Sequence, residues 1–249
     1  MTRIDWTRYK AVLFDLDGVL TDTASIHSRA WKATFDDLLK RRAKAEGGDF
    51  DPFTIEGDYR TYVDGRPRYQ GVDQFLRSRG IELPWGSAED DPGQKSICGI
   101  GNRKNQLVGR LLREEGADVY PGTLALLKAL QRMGMPMAVV TSSANADTVL
   151  AAAGVVEFFE AKVDGEVAAR LGLRGKPHPD PFTEAARRLE SDPAKTVVIE
   201  DAISGVQAGK SGGFGLVIGV DRHGDAQALL AAGADLVVTD LGELVRADG

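Results

Sequence analysis

Phe14-Asp15-Leu16-Asp17-Gly18-Val19-Leu20-Thr21-Asp22-Thr23 directly follows the apolar run Ala11-Val12-Leu13. A short strand ending here delivers two carboxylates, two residues apart, into a glycine-containing loop. Side chains two apart on a strand share a face, so Asp15 and Asp17 are expected to point into one pocket. Carboxylates that close resist joint ionisation without a cation between them. The pattern implies a divalent metal site, an acid/base pair, or both. A plain Asx/Gly turn would also carry it; three further segments argue for chemistry.

In Val139-Val140-Thr141-Ser142-Ser143-Ala144-Asn145 a strand runs into hydroxyl residues and then a helix. Hydroxyls and backbone N–H groups at such a turn can cradle a phosphate, although a serine there can equally cap the helix. Gly175-Lys176-Pro177-His178-Pro179-Asp180-Pro181 holds a lysine in a proline-stiffened loop, where its ammonium could neutralise a transferring phosphoryl group. Val198-Ile199-Glu200-Asp201-Ala202-Ile203-Ser204-Gly205 ends a buried strand on paired acids. Buried carboxylates call for a compensating cation, and oxygen-only donors favour Mg²⁺. The sequence has three histidines, none in metal-ligand spacing, which argues against zinc.

These groups need a frame that brings them together. Val12-Leu13-Phe14, Met137–Val140, Thr196–Ile199, Gly215–Ile218 and Leu236–Val238 read as strands buried on both faces. Helical patterns over Thr123–Arg132, Ala146–Ala153, Pro181–Leu189, Gly205–Ser211 and Ala226–Ala232 lie between them. This alternation predicts an α/β fold, a doubly wound parallel sheet with helices on both faces. Ligands bind beyond the carboxyl ends of the strands in such sheets, and Asp15, Thr141 and Glu200-Asp201 each follow a strand.

Residues 23–112 break the alternation. Thr23–Arg42 carries apolar residues at Ile26, Ala30, Phe35, Leu38 and Leu39, an amphipathic helix, with Asp22 or Thr23 as its N-cap. Val72–Leu76 and Asn105–Leu112 also look helical, whereas Gly47–Asp51 and Trp85–Gln94 read as loops. The expected division is a core of residues 1–22 and 113–249, with a helical insert at 23–112 after the first strand.

At 249 residues and a net charge of −6, the chain has no general attraction for nucleic acid or anionic membrane. No apolar run approaches the ~20 residues of a bilayer span, and the charged segment Met1–Lys10 is no signal peptide. The single Cys98 excludes an intrachain disulfide framework and fits a reducing cytosol. A cytoplasmic, monomeric protein is expected. Gly99-Ile100-Gly101-Asn102-Arg103-Lys104 lacks the third glycine and preceding strand of a dinucleotide loop. Lys40–Lys44 reads as a solvated helix end. A D-x-D glycosyltransferase would not require Lys176 or Glu200-Asp201.

In this order, the four segments resemble the signature of the haloacid dehalogenase superfamily of phosphotransferases across the whole chain. Phe14–Thr23, His27, Arg29–Lys32, Val119–Gly122, Lys176–Asp180 and Glu200-Asp201 resemble its sugar-phosphate mutases, and the insert resembles their cap domain. The resemblance implies a Rossmann-like core, Asp15 as a nucleophile forming an aspartyl phosphate, and Asp17 as general acid/base. Mg²⁺ would be held by Asp15, the Asp17 carbonyl, Asp201 and, close behind, Glu200. Thr141, Ser142 and Lys176 would hold the phosphoryl oxygens, and Ser143 and Asn145 would join the substrate contacts. On the cap, His27, Trp31, Arg68, Lys104 and Asn105 would face a small phosphorylated sugar. The implied reaction is β-glucose 1-phosphate to glucose 6-phosphate through the 1,6-bisphosphate, with a sugar-phosphate phosphatase as the alternative. Two features depart from these mutases: Ala144 stands where they carry lysine, and the insert is longer at 43–61 and 85–99.

Overall fold

Four apolar residues in a row at Ala11–Phe14 (β1) are wholly buried, as expected of a strand with neighbours on both edges and both faces. The structure, a computed structural model, describes residues 4–245. Further strands are Met137–Val140 (β2), Ala161–Val163 (β3), Thr196–Glu200 (β4), Leu216–Val220 (β5) and Leu236–Val238 (β6). They form one sheet in the order β3-β2-β1-β4-β5-β6, with every neighbouring pair parallel. Strand β1 is central: Val12 stands opposite Met137 on one side and Val197 on the other. The order reverses at β1, which opens a crevice at the strands' carboxyl ends.

The crossovers carry Pro121–Arg132 (α4), Ala146–Ala153 (α5), Gly165–Leu171 (α6), Asp180–Arg188 (α7), Ile203–Ser211 (α8) and Ala226–Ala232 (α9), numbered after three helices of the insert. On one sheet face Leu13, Ala138, Val140, Val198 and Val217 pack with Phe182, Ala185 and Ala186 of α7 and with Val206 and Ala208 of α8. On the other, Val12, Phe14, Val139, Val197 and Ile199 are also fully buried. Strand β3 and helix α6 are absent from the sequence-based expectation; the other crossover elements agree to within a few residues.

The chain divides into two compact units, Met1–Thr23 with Ala117–Gly249, and Ala24–Gly116. The second contains Ala24–Glu46 (α1), a π-helix at Ile55–Val63, Arg68–Ser78 (α2) and Ile97–Glu115 (α3). Its second boundary falls later than residue 112 because α3 runs on to Glu115 before Gly116 ends it at φ +82°. Of the additional length at 43–61, residues 43–46 complete α1, Gly47–Asp51 lies in a loop as expected, and 55–61 enter the π-helix, where Tyr59 N–H bonds the Thr54 carbonyl five residues back. The unit has its own core around Phe35, whose ring centroid lies 4.2 Å from that of Phe75 and 5.1 Å from that of Trp31. In the cationic stretch of α1, Arg41 pairs with Asp37 and Arg42 with Glu46 along the helix. Among the described residues no helix is long and apolar enough to cross a membrane.

Candidate active site

Ladder hydrogen bonds continue past the strand ends and fix the groups that follow. Asp15 N–H bonds the Ile199 carbonyl at 2.9 Å, and Thr141 N–H bonds the Val163 carbonyl at 3.0 Å. Asp15 is thereby placed beside Glu200, and Thr141 beside the end of β3. Lys176 reaches them from the loop before α7. Its Nζ donates to Asp15 Oδ1 at 2.5 Å, to Glu200 Oε1 at 2.5 Å and to the Val140 carbonyl at 3.1 Å. Its peptide bond to Pro177 is cis. Segments 161 residues apart thus converge on one ammonium.

Glu200 Oε2 also accepts from Ala202 N–H at 2.7 Å. Both of its oxygens are engaged. Carboxylate oxygens of Asp15, Glu200 and Asp201 lie within 4.8 Å of one another. Two glycines make room for them: a Cβ on Gly18 would overlap the Asp201 carboxylate, and one on Gly205 the Glu200 carboxylate. Gly18 also adopts φ +86°, where a side chain is strained.

Burial pushes the Asp15 carboxyl well up; Lys176 opposes this, and Glu200 and Asp17 add to it. Burial would lower Lys176, yet Asp15 and Glu200 hold it above its ordinary range, so it stays an ammonium. The all-oxygen donor set of Asp15, Glu200 and Asp201 suits a hard divalent cation such as Mg²⁺.

Thr23 Oγ1 donates to Asp17 Oδ1 and bonds the Thr21 hydroxyl at 3.0 Å. Thr23, which with Asp22 was a candidate N-cap, directly precedes α1, and its hydroxyl holds the orientation of Asp17. Thr141 Oγ1 accepts from Ser143 N–H at 3.0 Å, and Ser143 Oγ from Asn145 N–H at 3.2 Å. These bonds shape the turn from β2 into α5 that carries Ser142. Arg222, two residues past β5, donates through Nε to the Gly18 carbonyl at 2.6 Å, a contact that no sequence pattern suggested.

The other candidate residues lie in the helical unit. Lys104 and His27 are buried there, with Lys104 Nζ 3.0 Å from His27 Nδ1 and 5.0 Å from the centroid of the Trp31 ring. Trp31 itself stacks on Phe35 in that unit's core. Arg68 opens α2, donates to Tyr69 Oη at 2.8 Å and packs with Tyr69 against Gly101 of α3. Asn105 follows Lys104 on α3, the helix that also contains Gly99 and Gly101.

Residues 9–213 match the haloacid dehalogenase-like hydrolase family. The chain belongs to that family. It is 48% identical over 241 residues to a beta-phosphoglucomutase of Mycobacterium tuberculosis (strain CDC 1551 / Oshkosh), covering 96% of this chain and 92% of the relative. Among solved structures, the beta-phosphoglucomutase of Clostridium difficile superposes with a TM-score of 0.74 at 25% identity, covering 95% of this chain and 93% of that one. Mutant CbbY from Rhodobacter sphaeroides, in complex with xylulose-(1,5)bisphosphate, gives 0.71 at 26%, covering 94% and 96%. The Lys176 bridge thus belongs to a haloacid dehalogenase-like enzyme.

Proposed function

We propose that this chain is a magnesium-dependent phosphomutase that converts β-glucose 1-phosphate into glucose 6-phosphate through the 1,6-bisphosphate. The observation that carries the reading is the buried Lys176 ammonium bridging Asp15 and Glu200 beside Asp201, in a chain 48% identical to a beta-phosphoglucomutase. Phosphorylated Asp15 gives its phosphoryl group to the 6-hydroxyl of β-glucose 1-phosphate as Asp17 takes the hydroxyl proton, which forms the 1,6-bisphosphate and frees the Asp15 carboxylate. After the bisphosphate turns end for end, Asp15 attacks the phosphorus at position 1, the bond to the C1 oxygen breaks, and Asp17 returns the proton to that oxygen, leaving glucose 6-phosphate and the aspartyl phosphate. Lys176, Thr141 and Ser142 hold the phosphoryl oxygens, since positioning and charge neutralisation dominate such transfers. Asp15, the Asp17 carbonyl and Asp201 would hold Mg²⁺, with Glu200 behind them; when bound, the ion supplies charge neutralisation at the phosphoryl oxygens. The helical unit is assigned the part of a cap, with His27, Trp31, Arg68, Lys104 and Asn105 on the sugar-phosphate side; Ser143 and Asn145 complete the substrate contacts on the core.

A phosphatase is the second reading. Ala144 favours it, because the mutases this chain resembles carry lysine there and a second phosphate is held less firmly without it. Following glucose 6-phosphate and free phosphate together, from β-glucose 1-phosphate with Mg²⁺, separates the two. Mutase activity gives glucose 6-phosphate stimulated by added bisphosphate; steady phosphate release without it makes the enzyme a phosphatase. Asp15→Asn abolishes either turnover and the trapping of labelled phosphate on the protein. Normal activity in that variant would refute the nucleophile assignment.

A further inference from the structure

Arg222 ties the loop after the central strand β1 to the segment that follows the edge strand β6. Besides the bond from Nε to the Gly18 carbonyl, its Nη1 donates to the Thr239 carbonyl at 3.1 Å, immediately past β6. The guanidinium carbon sits 3.7 Å from the centroid of the Tyr120 ring, whose hydroxyl donates to Asp22 Oδ1 at 3.1 Å. A planar cation can stack on a ring and direct its fork at two carbonyls together, which an ammonium cannot. Nη2 is buried without a hydrogen-bond partner.

What the arrangement does secure is Gly18. Its N–H bonds the Thr21 carbonyl at 2.9 Å and its carbonyl is held by Arg222. With φ at +86° and the Asp201 carboxylate against its Cα, Gly18 has little room to move. Asp17 precedes it directly and is held on its other side by Thr23. We propose that Arg222 is a positioning residue for Asp17, fixing the Gly18 turn so that the Asp17 carboxylate stands where a leaving sugar oxygen needs its proton. The proposal rests on the reading of Asp17 as the acid/base group.

The test compares two leaving groups. A sugar oxygen needs a proton to depart, whereas p-nitrophenolate leaves without one, so only the first transfer depends on Asp17. Total turnover of β-glucose 1-phosphate, to glucose 6-phosphate or to free phosphate, is measured beside the first-turnover burst of p-nitrophenolate from p-nitrophenyl phosphate. The burst amplitude counts folded, competent sites. Arg222→Gln should slow the sugar phosphate about 10–100-fold, the usual loss for a group that orients a reacting one, while the burst rate stays within about twofold. Arg222→Lys should fall between Arg222→Gln and the parent enzyme. In an Asp17→Asn background Arg222→Gln should cost nothing more. Equal loss on both substrates, or a loss that persists in full on top of Asp17→Asn, overturns the proposal. If Arg222→Gln gives no burst, Arg222→Lys decides by the same comparison. If Asp17→Asn alone leaves the sugar-phosphate rate intact, the acid/base reading fails and the proposal falls with it; an intact effect of Asp17→Asn beside an indifferent Arg222→Gln rejects the arginine alone.

Discussion

Replacing Lys176 with methionine tests how the site is balanced. The side chain is 2% exposed and its Nζ lies 2.5 Å from both Asp15 and Glu200, which are 10% and 1% exposed. Methionine fills a similar volume but leaves two buried carboxylates facing each other with no cation. Removing one partner from a buried ion pair costs about 3–5 kcal/mol, and one kcal/mol shifts the midpoint of a chain this long by about 2–4 °C. Lys176→Met should therefore lower the thermal midpoint by about 6–20 °C in EDTA, against almost nothing for the exposed Lys128→Met. Saturating Mg²⁺ should recover part of the loss, because a bound cation stabilises the folded state in proportion to its occupancy. Adding Glu200→Gln should recover more, since it removes one of the stranded charges. Calorimetry in EDTA and in Mg²⁺ gives all these midpoints. A Lys176→Met midpoint within about 2 °C of the parent in EDTA, less than one kcal/mol at this length, would refute the claim that this lysine neutralises the buried acids.

Three further outcomes are expected. Gly18→Ala combines a strained φ with a collision at the Asp201 carboxylate, and should weaken Mg²⁺ binding by titration calorimetry about tenfold or more; unchanged affinity would place the ion elsewhere. Lys104→Ala should slow turnover of a sugar phosphate far more than that of an aryl phosphate, and equal losses would contradict a role on the sugar-phosphate side. Glu184 is held down to about 2 by Arg187 and then Arg188. Its contribution is therefore present above the usual carboxylate pKa and is lost as pH falls towards about 2. With Arg187 71% exposed, its share is screened, so Glu184→Gln should cost less than about 1 kcal/mol at pH 7. That gap should close on acidification below about pH 4.5, near the unfolded value, and denaturant titrations showing a constant gap would reject the assignment.

The sheet was legible where its strands are buried on both faces, since such strands are written as unbroken apolar runs. β3 escaped because it is a three-residue edge strand with Lys162 at its centre, and that lysine pairs with Asp147 and Asp164. The start of α3 was hidden by Gly99 and Gly101. A Cβ at Gly99 would meet the Gln94 carbonyl 2.5 Å away, and one at Gly101 the Tyr69 ring at 2.7 Å, so packing chose residues that read as loop. A helix with five-residue hydrogen bonding likewise evades a 3.6-residue pattern. The meeting of Asp15 and Glu200 was legible because each ends or follows a strand of one parallel sheet, and Lys176 stood out because prolines stiffen its loop before α7. Thr23 and Arg222 were not, because their partners are fixed by the folded chain; Arg222 meets Gly18 across 204 residues.

The central place of β1 has a consequence for how the chain is made. Its neighbours begin at Met137 and Thr196, so a nascent chain emerging at about 5–20 residues per second holds its first strand unpaired for many seconds. The helical unit is contiguous and closes over its own aromatic cluster, so it can condense on the ribosome while the sheet waits. The carboxylates consequently stay hydrated through most of synthesis, and the desolvated cluster forms only when Lys176 and β4 arrive together, which makes this chemistry a late product of assembly.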